Sequence, residues 1–392
     1  MKGIWYCLLL LFLGQNLFGI TIRHIVIRGN SETDPRTILF FFQEYEENKE
    51  FSTNELTTAL SNWIRRLERT GWFRNISVTT EETEENKVDV SLELTERFFY
   101  TAQLFDHAIG FGKQNLWGKG KEIFFEAGPF QKKITLTDHM YNFWPIFYQV
   151  ILGTTEENLI EYSNDFYRII PSLRQKGEAH IGWHLRPDHT LKGGFSGQII
   201  IQTNQIPIET LSFLSLGYLI DTRRGYPAFS SGWHWENTIR FYIPHYTVSW
   251  ESIASTHKPI KKTWQIGAKW HHGFTYGFLP TSAKYLLRSI NGLHTLSQEK
   301  GLLGDNCWDV HGEIRWKFWD VIPFLIFDIQ LEAVGFLEAG ETWNTWEEFG
   351  KNIFVVYGAG LRIYIDRFAI RTETGIDQRG ETAVLSSFEL PF

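Results

Sequence analysis

The chain has 392 residues, room for two or three domains, and its 38 Lys and Arg against 45 Asp and Glu give a formal net charge of -7. That balance leaves no basic footprint for nucleic acid, and no run of eighteen apolar residues follows residue 20, which excludes an internal transmembrane helix. With 16% aromatic residues, 16 Trp and 33 Gly, a membrane protein of this composition would have to be a barrel.

Residues 1–19 read as a signal peptide. Lys2 supplies the charged start, residues 4–13 the apolar stretch, and cleavage falls near Gly19. Cys7 lies inside the apolar stretch and is too early for a lipoprotein cysteine. The mature chain then holds only Cys307, which cannot form an internal disulfide.

Residues 20–96 read as one α/β unit in the order β-α-α-β-β. The strand at 20–28 carries Ile22 on one face and Ile25 and Ile27 on the other. Asp34 followed by Pro35 is an N-cap with Pro at the first helical position, and this short helix should bury Ile38, Leu39 and Phe42. Ser52 and Glu55 form a capping-box pattern. The helix they open has Leu56, Leu60, Trp63, Ile64 and Leu67 at helical spacing. Two strands close the unit. Ile76 and Val78 share a face of the first, and Val88, Val90, Leu92 and Leu94 alternate with Asp89, Ser91 and Glu93 in the second. The acidic residues 81–85 are expected to form the turn between them.

Residues 97–392 show strand periodicity and no long amphipathic helix. The clearest stretch is 308–318, WDVHGEIRWKF. Trp308, Val310, Ile314, Trp316 and Phe318 fall on one face, and Asp309, His311, Glu313, Arg315 and Lys317 on the other. An apolar, aromatic face opposite a face of mixed charge suits a wall between lipid and a polar lumen. Similar alternation recurs around residues 235–243, 263–270, 353–363 and 368–377. About 16 antiparallel strands fit the remaining length at roughly 9–11 residues per membrane crossing. Residues 278–307 make a long connection, residues 320–323 a tight turn, and residues 339–352 a longer loop. Short turns belong on the periplasmic side and long loops outside.

With the phrase ERTGWFRNISV, in which Gly71 and Phe73 precede the second strand, residues 20–96 resemble a POTRA domain, the periplasmic module of the BamA/TamA-type outer-membrane translocator superfamily. Four later stretches are similar to motifs of that superfamily's barrel. Asn115-Leu116-Trp117-Gly118-Lys119-Gly120 resembles its N-L-x-G-x-G turn. Asp221, Arg224 and Gly225 match its D-x-R-G periplasmic turn, closed by Pro227 and Gly232. Residues 336–343, FLEAGETW, resemble F-x-D-A-G-x-x-W with Glu338 in place of Asp. Phe388, Leu390 and Phe392 fit its terminal-strand signal. The resemblance implies an all-β transmembrane barrel behind a single POTRA-like domain.

The superfamily's long loop carries V/I-R-G-F/Y, whose Arg meets acidic residues on the lumen wall. Here the match is Ile290, Asn291, Gly292 and Leu293, so Asn stands where the family has Arg. An amide cannot replace a guanidinium's bidentate, charge-assisted bonds. Glu313 and Glu338 are the expected wall acceptors, with Arg288 or Arg315 as substitute partners. The plainer expectation for Glu313 and Arg315 is ordinary cross-strand pairing in the lumen.

The resemblance implies a non-enzymatic factor for assembly or translocation of outer-membrane proteins. Its partners would be outer-membrane lipid, unfolded client proteins and, through the POTRA-like domain, periplasmic chaperones or accessory proteins. A two-partner-secretion-like transporter and a passive pore or structural surface antigen are the alternatives. No nucleophile elbow, phosphate loop or acid–base pair stands out. No cofactor is expected, and no metal is expected at His271-His272, adjacent residues that face opposite sides of a strand.

Overall fold

Val88, Val90, Leu92 and Leu94 are all buried, and around them the N-terminal unit forms its core. The computed structural model describes all residues except 1–18, 43–48, 71, 85, 98–99, 106–107, 129–130, 139–145, 164–165, 187, 203–208, 224–230, 244, 281–282, 288–292, 294–301, 325–326, 366–367 and 390–392. Described residues of the first unit run through β1 (Ile20–Arg28), α1 (Pro35–Leu39), β2 (Glu50–Phe51), α2 (Thr53–Thr70), β3 (Phe73–Glu84) and β4 (Lys87–Glu96). The sheet order is β2-β1-β4-β3, with β1 parallel to β4 and the other pairs antiparallel. The short β2 adds a strand to the expected β-α-α-β-β order. A register shift between Ile22 and His24 explains why the apolar face of β1 changes sides: one extra residue swaps the faces of all that follow.

Local signals in this unit act as their chemistry predicts. Asp34 caps α1 by accepting from the Arg36 amide at 2.8 Å. The Ser52 amide donates to Glu55 Oε2 at 2.8 Å, and the Glu55 amide donates back to Ser52 Oγ at 3.3 Å, completing the capping box. Leu56, Trp63 and Leu67 are buried, while Leu60 packs at the margin of the core. Two expectations need correction. Leu39 is exposed and Phe41 is buried instead, because α1 ends at Leu39 and the chain turns. The acidic run is no turn: Glu81–Glu84 continue β3 beside β4, and Asn86, at φ 63°, makes the reversal.

Glu96 ties down the segment before α1. Its carboxylate accepts from the amides of Ser31, Glu32 and Thr33 at 2.7–2.9 Å and from Ser31 Oγ at 2.6 Å. Partial burial alone would raise this carboxyl, but these donors outweigh it and hold it below the usual carboxylate range. The folded-state value is lowered, so the stabilisation is present above the unfolded-state value and is lost as pH falls through the folded one. Acidification should therefore lower the protection factors of the amides at residues 31–33, measured against the intrinsic rate at each pH, and Glu96→Gln should flatten that dependence. Equal pH profiles for the two proteins would refute the account.

The turn Asn115–Lys121 clusters with this first unit. Asn115 is fully buried, donates from Nδ2 to Thr33 Oγ1 at 2.8 Å and accepts from the Gly120 amide at 2.9 Å. Gly118, at φ +68°, brings its carbonyl to the Asp34 amide at 2.9 Å. A Cβ there would sit 2.0 Å from the Glu32 carbonyl oxygen, so this turn accepts only glycine.

Among the described residues, the second unit is a sheet of sixteen strands. In chain order its first eleven are β5 (Tyr100–Phe105), β6 (Ala108–Leu116), β7 (Lys121–Ala127), β8 (Gln131–Asp138), β9 (Ile146–Ser163), β10 (Phe166–Arg186), β11 (His189–Gln202), β12 (Glu209–Asp221), β13 (Gly232–Tyr242), β14 (Thr247–Lys261) and β15 (Trp264–Tyr276). A separate hairpin follows, β16 (Tyr285–Leu287) and β17 (Leu302–Gly304). The sheet resumes with β18 (Asn306–Phe324), β19 (Phe327–Trp343), β20 (Phe354–Ile365), β21 (Phe368–Asp377) and β22 (Thr382–Glu389). Neighbours in the sheet follow chain order, and the last strand, β22, meets the first, β5, so the sheet curls into a barrel.

Exposure along β18 shows which side is which. Val310, Ile314, Trp316 and Phe318 are exposed, whereas Asp309, His311, Glu313 and Arg315 are buried. The wall is apolar outside and charged within, the reverse of a soluble protein. No described helix is long and apolar enough to cross a membrane.

Loop boundaries differ from the sequence expectation in two places. Residues 320–323 belong to β18, where register shifts between Lys317 and Ile322 absorb the irregularity, and the connection to β19 is residues 325–326. Residues 339–343 belong to β19. The loop after it folds back on the outer wall, with Trp346 stacked 5.9 Å from Phe274. Glu341 lies buried beneath that loop, accepting from Trp308 Nε1 at 3.0 Å and the Gly350 amide at 2.9 Å.

Candidate functional site: the barrel lumen

Alternation places Glu313 and Arg315 on the inner face of β18, Glu338 on that of β19, and Arg362 on that of β20. Gly267 of β15 lies directly opposite Glu313, and a Cβ there would meet Glu313 Oε1 at 2.8 Å. The carboxylate therefore occupies space that any other residue at 267 would fill. Gly360 makes the same room for Glu373 of β21.

Glu313 is saturated by the wall itself. It pairs with Arg315 beside it on β18, accepts from Arg362 Nη2 at 2.8 Å, and accepts from His311 Nε2 at 3.2 Å. His311 donates from Nδ1 to Glu338 Oε1 at 2.5 Å. Arg362 continues the chain to Glu373 at 2.7 Å, and Arg371 reaches the other oxygen of Glu373 at 3.0 Å. Charges alternate across four strands, so most are neutralised by a direct neighbour.

A second constellation lies along the same wall towards the long loop. His271 of β15 donates from Nδ1 to Asp309 at 2.6 Å and from Nε2 to Glu251 of β14 at 3.1 Å. Arg240 of β13 holds the other oxygen of Glu251 at 2.6 Å. Cys307 is buried with its Sγ 3.9 Å from His271 Nε2. Among the described residues, no group of three or more His, Cys, Asp or Glu is arranged to hold a metal ion.

The connection between β15 and β18 packs inside the barrel. Leu293 is buried against Phe336, Phe354 and Val356, inward residues of β19 and β20. Leu279 is buried against Leu211, Phe213 and Tyr242, inward residues of β12 and β13. The two anchor points lie about five strands apart round the sheet, roughly 24 Å of wall, so the described residues of this connection meet two separate parts of the inner face. Tyr285 lies over Gly273, where a Cβ would meet its ring at 2.3 Å, and its ring contacts that of His271. Lys284 adds an ion pair to Asp305 at 3.3 Å.

Of the loop motif, Arg288, Ile290, Asn291 and Gly292 lie outside the described residues, and Leu293 is the position the structure places. Glu313 and Glu338 are brought together through His311, and Arg315 joins them. In the periplasmic-turn motif, Arg223 makes the bidentate pair to Asp221 at 3.0 and 2.9 Å; Arg224 and Gly225 lie outside the described residues. Gly232, at φ +109°, lets the Thr222 amide reach the Trp233 carbonyl at 2.7 Å. Phe388 stands in β22 opposite Ile370, and Leu390 and Phe392 lie outside the described residues.

Sequence reasoning missed Arg362 as a partner of Glu313, Glu373 and Arg371 as the residues that extend the chain beyond Arg362, and Glu251 as a partner of His271. Period-two alternation puts each on an inner face, but only strand register says which inward residues are neighbours.

Leu293→Ala should weaken docking of the loop by about 2–4 kcal/mol, the usual cost of emptying a buried leucine site. Hydrogen exchange in β16 and β17 should quicken by about one and a half to three orders of magnitude while β19 stays protected. Unchanged exchange in that hairpin would show that Leu293 does not anchor it.

Comparisons with known proteins agree with this architecture. Residues 20–97 match the POTRA family, described as surface antigen variable number repeat. No curated protein matches the chain by sequence. Among solved structures, CdiB from Escherichia coli superposes with a TM-score of 0.69 at 11% identity, covering 95% of this chain and 76% of that one. CdiB from Acinetobacter baumannii gives 0.64 at 12% identity, with 94% and 73% covered. BamA from Haemophilus ducreyi lacking POTRA domains 1-3 gives 0.54 at 14% identity, with 94% and 85% covered. The chain thus carries a POTRA domain at residues 20–97, and behind it a barrel of the fold that these structures share.

Proposed function

We propose that the protein is an outer-membrane barrel that assists the insertion or export of other proteins, with its POTRA domain in the periplasm and residues 1–19 acting as the export signal. The domains on this reading are 20–96 for the POTRA unit and 97–392 for the barrel. The observation that carries it is a POTRA domain followed by a barrel whose long β15–β18 connection buries Leu279 and Leu293, among its described residues, against the inner wall. A wall that is apolar outside supports residence in a lipid bilayer. Clients would be unfolded outer-membrane or secreted polypeptides, recognised without nucleotide or cofactor. Depletion of the protein should lower the amount of one or more outer-membrane barrels; unchanged levels of all of them would sink the insertion reading.

Export of a dedicated secreted partner is the second reading. The observation favouring it is the closer superposition on the two CdiB structures than on BamA. On this reading depletion leaves outer-membrane barrels unchanged and retains one secreted protein inside the cell. A passive pore fits less well, because Leu279 and Leu293 of this connection are each buried against inward wall residues. Conductance in planar bilayers together with normal barrel levels and normal secretion would favour the pore.

A further inference from the structure

The outer wall over β8–β12 changes character row by row. Strand register aligns Leu136, Val150, Ala179, Phe195 and Leu214 as one outward row. The next row is Ile134, Leu152, Gly177, Gly197 and Ser212, and the one beyond is Lys132, Thr154, Gln175, Ile199 and Thr210. An apolar row thus gives way to a row with two adjacent glycines, and then to one that begins with a cation and is mostly polar. The inner face of the same strands carries its own ion pairs, Lys133 to Glu126 and Lys176 to Glu178, both at 2.7 Å. Lys132, Thr154 and Gln175 therefore belong to the outside.

A depression of about 1130 Å³ lies here, lined by the outward Lys132, Thr154, Gln175, Gly177 and Gly197 and also by Glu126, Lys133 and Lys176, whose charges are engaged in the ion pairs above. Its apolar flanks are Phe125, Leu152 and Ile199, all exposed. The height of the polar row is informative. Gln175 stands eight residues along β10 from the outward Trp183, about 27 Å of strand. At a tilt of ~40° that is about 21 Å along the membrane normal, close to the ~25 Å apolar band of such barrels. The polar row falls where acyl chains end and headgroups begin.

We propose that this depression binds one phosphate-bearing lipid. Its phosphate lies on Lys132, its polar backbone on Thr154 and Gln175, and an acyl chain in the trough over Gly177 and Gly197. The inference rests on the membrane-barrel reading. Charge complementarity selects the occupant: a lipid without phosphate gains nothing from Lys132, whereas both kinds fill the trough equally.

Native mass spectrometry of the detergent-purified full chain tests this, with phosphatidylglycerol and diacylglycerol of identical acyl chains added separately. The wild type should retain one phosphatidylglycerol per chain under activation that strips diacylglycerol. Lys132→Gln should reduce that retention about tenfold. Gly177→Leu with Gly197→Leu should abolish it. The wall should accept these side chains, because a Cβ at either position meets no atom closer than 3.6 Å. Equal retention of the two lipids, or retention unchanged in both variants, would overturn the inference. Reconstitution separates the two levels of argument. A chain that does not insert into phosphatidylglycerol vesicles as a heat-modifiable barrel refutes the membrane reading, while one that inserts but shows no lipid preference refutes the lipid site alone.

Discussion

Trp63→Ala should unfold the POTRA domain. Trp63 is 1% exposed and sits among Ile38, Phe42, Leu56 and Leu67, with its ring 4.6 Å from that of Phe42. Truncating a buried tryptophan costs about 3–5 kcal/mol, against a total of about 5–15 kcal/mol for a typical domain. A unit of residues 20–97 belongs at the lower end of that range, because small domains bury proportionally less surface. The substitution should therefore leave a large unfolded fraction at growth temperature. Trp63 Nε1 has no hydrogen-bond partner among the described residues, so Trp63→Phe should cost far less, below about 1.5 kcal/mol. Limited proteolysis of the full chain reads both. Rapid loss of residues 20–97 with a protected barrel is expected for alanine and not for phenylalanine. Equal protease resistance of the two variants would mean that Trp63 is not the keystone of this core.

Glu313→Ala should be the most damaging single change in the barrel wall. It strips the shared partner from Arg315, Arg362 and His311, all buried. Removing one member of a buried ion pair costs about 3–5 kcal/mol, largely because the remaining charge is stranded. Arg362 keeps Glu373 and His311 keeps Glu338, so Arg315 bears most of the loss; among the described residues it keeps a hydrogen bond to His257 at 3.2 Å. Replacing Glu313 and Arg315 together by methionine should recover much of the stability, because no unpaired charge is left. The temperature at which the barrel loses its folded electrophoretic migration measures this. A double variant no more stable than Glu313→Ala would contradict the stranded-charge account.

Much of the fold was legible in the residues because strand and helix signals are local. The capping box at Ser52 and Glu55, the alternation of Val88 to Leu94 and the two-faced stretch 308–318 each depend on neighbours within a few positions. The errors were local too. Glu81–Glu84 read as a turn because acidic runs favour solvent, and an exposed strand edge satisfies that preference equally well. Residues 320–323 read as a tight turn closing the strand, whereas register shifts carry β18 through them. The lumen was legible only in part. That Glu313 faces inward followed from period two; that Arg362 reaches it depends on the register of β18, β19 and β20. The family pattern directed attention to position 291 and its missing guanidinium. The structure instead shows Leu293, two residues further on, buried against apolar wall residues, and shows the acid expected to receive the guanidinium already engaged by two arginines of the wall.

The two inward glycines opposite the carboxylates have a consequence for the electrical face of this part of the lumen. By leaving room for Glu313 and Glu373 against the wall, Gly267 and Gly360 keep the acids beside the arginines that neutralise them. Opposite charges this close cancel over a distance of a few ångströms, and mobile salt damps the remainder. On the proposed reading, an acidic and a basic client segment passing this cluster would meet nearly the same electrical landscape, and this cluster would not sort clients by the sign of their charge.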